Sequence, residues 1–244
     1  MGCCFYNGRG TDKDEKKAFI CFEKSAYQGN KYAQYNLGMC YEKGKGCEKD
    51  LKKAFILYEK SAEKGLASAQ YNCGRFLESA LNGNKNGVKA FEWYTKSAEQ
   101  GYPQAEAALG RCYYYSIGMM AHDYSKAYEW LKKAYEDGCS DSIKELGECY
   151  YYGKGTDIDY EKAFELFKES GNNIMLMECY AYGRGVKSSI EAVFCCFRND
   201  DFKIEAIKDN KILYQLGKYI QEIENTPESK QNRININKDS IKKR

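Results

Sequence analysis

The chain has 244 residues, of which 43% are hydrophobic and 30% charged, and its net charge is +3. This composition suits a folded core, and no run approaches the ~18 apolar residues of a spanning helix, which argues against membrane insertion. The segment 223–244 carries six basic and three acidic residues. The rest of the chain is therefore neutral, without the cationic field expected of a nucleic acid-binding protein.

Beginning at its first residues, the chain repeats itself. A glycine recurs at spacings of 36, 36, 36 and 37 residues. It occupies the same position in each repeat: Gly2, Gly38, Gly74, Gly110 and Gly147. Periods of this length are typical of solenoids in which one supersecondary unit is stacked on the next.

Each repeat is predicted to contain two helices, which we call helix A and helix B. In the first full repeat, helix A spans 32–43 and ends at a glycine pair, Gly44 and Gly46. Helix B spans 51–64. Asp50 precedes helix B as an N-cap, because its carboxylate can accept a hydrogen bond from an unpaired backbone N–H.

Further positions recur and set the register of helix B. The first is the predicted N-cap: Asp14, Asp50, Asn86, Asp123, Asp159 and Ser188. The second is an alanine four residues later: Ala18, Ala54, Ala90, Ala127, Ala163 and Ala192. The glycine pair also returns at Gly153 and Gly155. Because Gly38 and Ala54 are both small, helices A and B are expected to cross closely there.

The repeats divide the chain into a predicted solenoid, 1–222, and a polar, aperiodic, basic tail, 223–244, which is predicted to be disordered. Within the solenoid we predict a half unit, four full units, a shortened unit in which Met177 replaces the recurrent glycine, and an eroded last helix pair. These units span, in order, 1–30, 31–66, 67–102, 103–139, 140–171, 172–200 and 201–222.

The stretch AQYNLGMCYEKGKGCEKDLKKAFILYEKSAEKG, residues 33–65, resembles a Sel-1-like repeat, a relative of the tetratricopeptide repeat. The matched pattern is A-x-x-x-L-G-x-x-Y-x-x-G-x-G-x-x-x-D-x-x-K-A, followed by K-S-A-x-x-G. The resemblance implies an all-α fold, a right-handed α-solenoid of about five to six antiparallel helix pairs. It also implies a protein–protein interaction scaffold or adaptor, of the kind found in signalling, without catalysis of its own.

The glycines around Lys45 are interpreted as structural rather than as a nucleotide site. A phosphate-binding loop needs G-x-x-x-x-G-K-[ST], whereas five residues separate Gly38 from Gly44 and Gly46 replaces the hydroxyl residue. Lys45 is therefore expected to be an exposed side chain, and no cofactor is predicted.

Twelve cysteines and a single histidine, His122, form no CxxC motif and no zinc cluster of the usual spacing, so no metal site is predicted. A cytoplasmic, reducing compartment is the simplest interpretation. The resemblance leaves open a secreted, cysteine-rich relative with hydrolase activity. We favour it less, because we find no nucleophile–base set. In addition, no two cysteines have seven residues between them, as the stapled cysteine pairs of some secreted members do.

A further alternative is a membrane-tethered adaptor. Gly2 could accept myristate after removal of Met1, and Cys3 could be palmitoylated. Position 6 is Tyr6 rather than Ser or Thr, and Gly2 falls on a repeat position, so the anchor is the less favoured interpretation. The short first helix A leaves two alternatives for assembly: a monomer that is part of a longer repeat protein, or a dimer through the exposed N-terminal end.

In the solenoids that this chain resembles, helix A lines the concave surface, so a protein or peptide partner is predicted to bind there. The stripe beside the core side of helix A is rich in Tyr and Arg, residue types favoured at interfaces. It comprises Tyr35, Met39, Glu42, Tyr71, Arg75, Glu78, Arg111, Tyr114, Glu148 and Tyr151. The alternative for several of these tyrosines is that they brace adjacent repeats.

Overall fold

The computed structural model describes residues 5–6, 12–79, 86–199, 214 and 217–218, and these residues contain helices and no β-strand. The proposed lipid sites Gly2 and Cys3, most of the eroded last helix pair and the basic tail lie outside the described residues. The chain divides into two compact units, Met1–Ser142 and Ile143–Arg244. The predicted all-α repeat fold is confirmed in both units.

Seven helices of the first unit have defined bounds, and a short 3-10 turn at Ser140–Ser142 follows them. These helices are α1 (Glu15–Tyr27), α2 (Lys31–Lys43), α3 (Leu51–Glu63), α4 (Ala67–Glu78), α5 (Gly87–Ala98), α6 (Pro103–Tyr115) and α7 (Tyr124–Glu136). Helices α2, α4 and α6 are helix A of their repeats, and α1, α3, α5 and α7 are helix B. Successive helices pack against each other, so each pair shares its core with the next.

The second unit continues the alternation of helix A and helix B. Its described helices are α8 (Ile143–Tyr152), α9 (Tyr160–Ser170), α10 (Asn173–Tyr182) and α11 (Ile190–Asn199). The core of this unit contains the buried side chains of Phe167 and Met177. Met177 stands where the other repeats have a glycine, and its exposed fraction is only 1%. The replacement therefore places a larger side chain inside the helix crossing.

Helix B begins where a carboxylate or amide side chain accepts a backbone hydrogen bond. The Oδ1 atom of Asp50 accepts from the N–H of Lys53 at 3.0 Å. The same bond recurs at Asp14, Asn86, Asp123 and Asp159. These five predicted caps are confirmed, and each satisfies a backbone donor that the first helical turn leaves unpaired.

The sixth predicted cap is wrong by one residue. Helix α11 is capped by Ser189, whose Oγ accepts from the N–H of Ala192 at 3.2 Å, and not by Ser188. The buried position of this helix is then Val193, with an exposed fraction of 0%, rather than Ala192. Ser189 lies the same distance after Met177 as Asp50 lies after Gly38, so the register is set by the preceding helix rather than by the alanine.

The helix crossings are as close as the small residues predicted. A Cβ atom added at Gly38 would lie 2.9 Å from Cε1 of Tyr58, which is the helix B side chain that fills this crossing. The alanine position of helix B is likewise fully buried at Ala54, Ala90, Ala127 and Ala163. A Cβ atom added at Gly74, Gly110 or Gly147 would likewise lie only 2.5–2.7 Å from the side chain of Tyr94, Leu131 or Phe167, respectively.

The loop glycines have two different roles. Gly44 caps α2 in the left-handed region, with φ 68°, where a side chain would be strained. Gly46 also has φ 74°. In addition, a Cβ atom at Gly46 would overlap the backbone carbonyl of Glu15 at the start of α1. The second glycine therefore permits backbone contact between neighbouring repeats, whereas the first one turns the chain.

Lys45, between these glycines, is not the freely exposed side chain that the sequence suggested. Its Nζ lies 4.8 Å from the ring centroid of Tyr6 and 3.8 Å from a carboxylate oxygen of Glu15. The ammonium therefore stabilises the contact between two repeats through a cation–π and an ion-pair interaction.

Candidate partner-binding surface

Three tyrosines that belong to, or directly precede, successive helices A lie side by side on one face of the first unit. Tyr35 comes from α2, Tyr71 comes from α4, and Tyr102 directly precedes α6. The ring centroids of Tyr71 and Tyr102 are 5.6 Å apart. Burial raises the pKa of Tyr102, and the neighbouring Tyr35 and Tyr71 raise it further. All three residues are only partly buried, so each leaves part of its surface accessible for contact.

The rings rest on the buried tyrosines of helix B. The ring of Tyr35 is 5.7 Å from that of Tyr58, and the ring of Tyr71 is 5.9 Å from that of Tyr94. Tyr58 and Tyr94 are 0% and 1% exposed, respectively. The partly exposed tyrosines are thus held in fixed positions by the core beneath them, which reduces the entropy lost when a partner binds.

Sequence reasoning missed three residues of this face. Tyr102 occupies the N-cap position of α6, where no side-chain cap bond forms. An aromatic residue at a position that normally carries Ser, Asp or Asn was the available signal. Ser68 and Asn72 of α4 were also missed. Burial raises the pKa of the Tyr35 phenol, whereas its hydrogen bonds with Ser68 and Asn72 lower it.

A polar chain joins helix A of one repeat to helix A of the next. The hydroxyl of Tyr58 donates to Oε2 of Glu42 at 2.6 Å. The guanidinium of Arg75 donates to Oε1 of the same carboxylate, also at 2.6 Å. Burial, followed by the hydrogen bond to Glu42, raises the pKa of Tyr58 strongly, so the phenol remains neutral. Glu42 and Arg75, both predicted site residues, therefore also brace the repeats.

The next repeat forms only the first of these two side-chain hydrogen bonds. Tyr94 donates to Oε2 of Glu78 at 2.6 Å, as Tyr58 does to Glu42. Arg111 occupies the position of Arg75, one residue after the recurrent glycine. It donates to the backbone carbonyl of Asp141 at 3.2 Å instead of to Glu78. The structure thus brings Glu78 and Arg111 to the same face but does not join them.

Several other predicted site residues occupy different environments. Tyr114 and Tyr151 are 4% and 2% exposed, so they are core residues rather than contact residues. Tyr151 is held by the Arg184 guanidinium, which donates to its hydroxyl at 2.7 Å. Met39 is partly buried against the core around Tyr58. Glu148 lies in the second unit and is partly exposed.

Burial and neighbouring groups define the surroundings of the described thiols and of the histidine. Burial raises the pKa of Cys40 to about 11 and that of Cys112 to about 12, so these thiols are poor nucleophiles at neutral pH. None of the described cysteines takes part in a disulfide bond. His122 contacts the carbonyl of Tyr114 through Nδ1 at 2.7 Å and stacks on Tyr124. The described residues also contain no cluster with the composition of a metal site.

Membrane crossing can be assessed for the same residues. None of their helices combines the length and the apolar character that a membrane span requires.

Repeated helix pairs, with small residues at the crossings of the full repeats and capped helix B termini, define an α-solenoid. The sequence model of the Sel1 repeat matches residues 1–30, 31–66, 67–102, 103–139 and 140–173. The chain therefore belongs to the Sel1 repeat family. The comparison with curated proteins gave no match.

Solved structures share this fold. A Sel1 repeat protein from Oxalobacter formigenes is 30% identical, with a TM-score of 0.71 over 81% of this chain and 79% of that one. A protective antigen of uropathogenic Escherichia coli with an SLR fold is 25% identical, with a TM-score of 0.60. That match covers 94% of this chain but only 57% of the antigen. A putative Sel1 repeat protein from Klebsiella pneumoniae is 19% identical, with a TM-score of 0.50 over 83% of this chain and 98% of that one, and is similar in fold.

Proposed function

We propose that the chain is a non-catalytic adaptor that holds a protein or peptide partner on helix A of its first unit. We call this face the helix-A surface. It consists of the partly exposed residues Tyr35, Ser68, Tyr71, Arg75, Tyr102 and Arg111. Proteins built from Sel1 repeats are generally interaction scaffolds, and this surface is where such a role is best supported.

The observation that carries the proposal is the row formed by Tyr35, Tyr71 and Tyr102. Tyrosine and arginine are enriched among the residues that dominate binding energy, because one side chain supplies both area and hydrogen bonds. The row is supported from below by the buried Tyr58 and Tyr94. Because the row runs across successive helices A, it fits an extended segment of a partner better than a small molecule.

The compartment and the two alternatives belong to the same proposal. We propose a reducing, cytoplasmic location, because the described cysteines form no disulfide bond with one another. A hydrolase would need an activated nucleophile, whereas burial raises the pKa of the helix A thiols and so disfavours the thiolate. Acylation at Gly2 or Cys3 would tether the adaptor to a membrane without altering the helix-A surface.

The test uses a random-peptide display library selected against the full chain. Peptides that bind are then added to isotopically labelled protein, and amide chemical shifts are recorded. We expect shifts along α2, α4 and α6, with the amides of Tyr35 and Tyr71 among them. Failure to select any peptide, or shifts confined to α3 and α5, would contradict the proposal. This readout needs no variant, so a folding defect cannot imitate the result.

A tyrosine exchange provides the complementary measurement. Tyr71→Ser removes a ring of the row, and we expect it to weaken the selected peptides about tenfold or more. Tyr27→Ser is the matched control, because Tyr27 is 95% exposed and lies on helix B. Unchanged circular dichroism confirms that both variants are folded. Equal affinities for the two variants would show that the row does not contribute to binding.

A further inference from the structure

Arg111 binds differently from the arginine at the equivalent position of the preceding repeat. Two arginines, Arg75 and Arg111, follow the recurrent glycine in successive helices A. The first is bound to Glu42, and the side chains of both partners are largely covered, with exposed fractions of 32% and 19%. The same pairing is available in sequence to Arg111 and Glu78. The structure does not form it, although Glu78 is held in the same way by its own tyrosine, Tyr94.

Arg111 does not pair with Glu78 because the following repeat begins differently. The residues after Cys139 form a 3-10 turn, Ser140–Ser142, instead of entering a helix directly as α4 and α6 do. The carbonyl of Asp141 in this turn accepts one N–H of Arg111 at 3.2 Å. A guanidinium carries five N–H donors. Along the described part of the chain no carboxylate forms an ion pair with Arg111, so most of its donor capacity is not used by the fold.

The surroundings of Arg111 strengthen an interaction with an anion. Tyr71 lies beside it: burial raises the pKa of Tyr71, and the positive charge of Arg111 is the main influence that lowers it. The Tyr71 ring contacts the Tyr102 ring. The buried Cys139, 6% exposed, is also close enough to experience the charge of Arg111. Aromatic and buried neighbours lower the local dielectric constant, which makes a charge-assisted hydrogen bond stronger than it would be in water.

We infer that Arg111 is an anion subsite of the helix-A surface, which receives the carboxylate of an aspartate or glutamate side chain in the partner. This inference rests on the proposed function. A carboxylate matches the planar fork of the guanidinium and forms two parallel hydrogen bonds with it. Tyr71 and Tyr102 then pack against the neighbouring part of the bound segment.

The carboxylate of Asp141 opposes anion binding, and its removal is therefore expected to increase affinity. The side chain of Asp141 is exposed, and its negative charge raises the pKa of Tyr71, so it lies in the same neighbourhood. It would repel an incoming carboxylate. Asp141→Asn removes this charge and leaves the backbone carbonyl that holds Arg111, so it should strengthen binding of an acidic peptide.

The experiment starts from the peptides selected by the display library against the full chain. One binder that contains an acidic residue is synthesised with a fluorescent label, together with its Glu→Gln or Asp→Asn counterpart. Affinities of both peptides are measured for the wild type, Arg111→Met, Asp141→Asn and Lys132→Met. Lys132 lies on helix B, where it pairs with Glu136, and serves as the control for loss of one positive charge.

We expect the acidic peptide to bind Arg111→Met roughly ten to a hundred times more weakly than the wild type. The neutral peptide should bind both proteins alike, Lys132→Met should behave as the wild type, and Asp141→Asn should bind the acidic peptide more tightly. If the library selects no binder, the proposed function fails. If the selected peptides lack acidic residues, or bind Arg111→Met unchanged, the subsite is refuted while the adaptor function stands.

Discussion

At the scale of single residues, the second glycine of the loop is where two repeats approach most closely. The Cα atom of Gly46 faces the backbone carbonyl of Glu15 without space for a methyl group. Gly65, at the end of α3, has nearly the same backbone conformation, with φ 75° against 74°. A Cβ atom at Gly65 would meet nothing within 4 Å. Substitutions at these two glycines therefore distinguish the cost of backbone strain from the cost of disturbing the contact between repeats.

We predict that Gly65→Ala lowers the free energy of unfolding by about 1 kcal/mol, the cost of a left-handed conformation with a side chain. Gly46→Ala should cost a further ~1–3 kcal/mol, because the added methyl group displaces α1. Urea unfolding followed by circular dichroism gives both values. Equal losses for the two variants would show that the contact between Gly46 and Glu15 is not tight in solution.

Also at this scale, the third full repeat exchanges a neutral pair for a charged one. Gln70 and Ser97 are buried, and the Ser97 hydroxyl donates to a backbone carbonyl at 2.7 Å. The equivalent residues one repeat later are Glu106 and Lys133. Glu106 is 0% exposed, and Nζ of Lys133 lies 2.7 Å from its Oε1. A buried carboxylate needs such a partner, because desolvation without one is strongly unfavourable.

At the scale of the helix, the cap of helix B is coupled to the preceding helix A. Lys53 pairs with the cap Asp50 at 3.5 Å, and its ammonium lies 5.3 Å from the ring centroid of Tyr41. The same three-residue arrangement recurs at Lys126 and Lys162. In the second full repeat, Leu77 replaces the aromatic residue and Asn86 replaces the aspartate cap. Both halves of the arrangement thus change together.

The aspartate caps predict a loss of stability in acid. Backbone hydrogen bonds from the first turn of helix B are the main cause that holds the pKa of Asp14, Asp50, Asp123 and Asp159 below its usual value. The folded-state pKa is therefore lower than the unfolded one of about 3.9. The contribution of the caps is present above that pH and is lost as the pH falls through the folded-state pKa.

Replacing all four cap aspartates by asparagine should leave stability at pH 7 little changed, because asparagine caps a helix as well as aspartate does. Asn86 makes this neutral bond naturally, at 3.0 Å. Below pH ~4 the fall in unfolding free energy should become shallower than in the wild type. Urea unfolding across an acid pH series measures this dependence of the unfolding free energy on pH. An unchanged acid slope would mean that other carboxylates determine acid unfolding.

At the scale of the whole molecule, one position of helix A contributes a buried thiol to almost every repeat. Burial raises the pKa of Cys40 to about 11 and those of Cys112, Cys149 and Cys179 to about 12. An unfolded thiol ionises near pH 8.5. Since the folded-state pKa is higher, the stability these thiols provide is complete below pH ~8.5 and is lost progressively as the pH rises towards the folded-state pKa.

We predict that unfolding free energy falls between pH ~8.5 and ~10, before unfolded tyrosines ionise. Cys112→Ala should make this decline shallower, although it lowers stability at neutral pH by removing a packed side chain. Cys195→Ala, at an exposed position, is the control and should leave the slope unchanged. A decline that is identical in Cys112→Ala and the wild type would exclude the buried thiols as its cause.

The sequence alone determined the repeat, the helix pairs and the caps of the full units. It could do so because these depend on local requirements: Asp50 caps the helix that follows it, Gly44 turns the chain that precedes it, and Gly38 faces a side chain at a fixed distance along the repeat. The same reasoning failed at Ser188 because the cap was placed by counting back from Ala192, whereas the cap that forms, Ser189, keeps its distance from the preceding helix A.

Only the tertiary structure decided which tyrosines and charges remain available. The sequence places both Tyr71 and Tyr151 in the predicted binding stripe, but the first is partly exposed and the second is buried. Arg75 and Arg111 also occupy equivalent positions, yet one is bound to Glu42 and the other to the backbone of Asp141. These outcomes depend on contacts between residues about thirty positions apart. The repeat pattern specifies where such residues meet, but the packing of each neighbour decides which bonds they form.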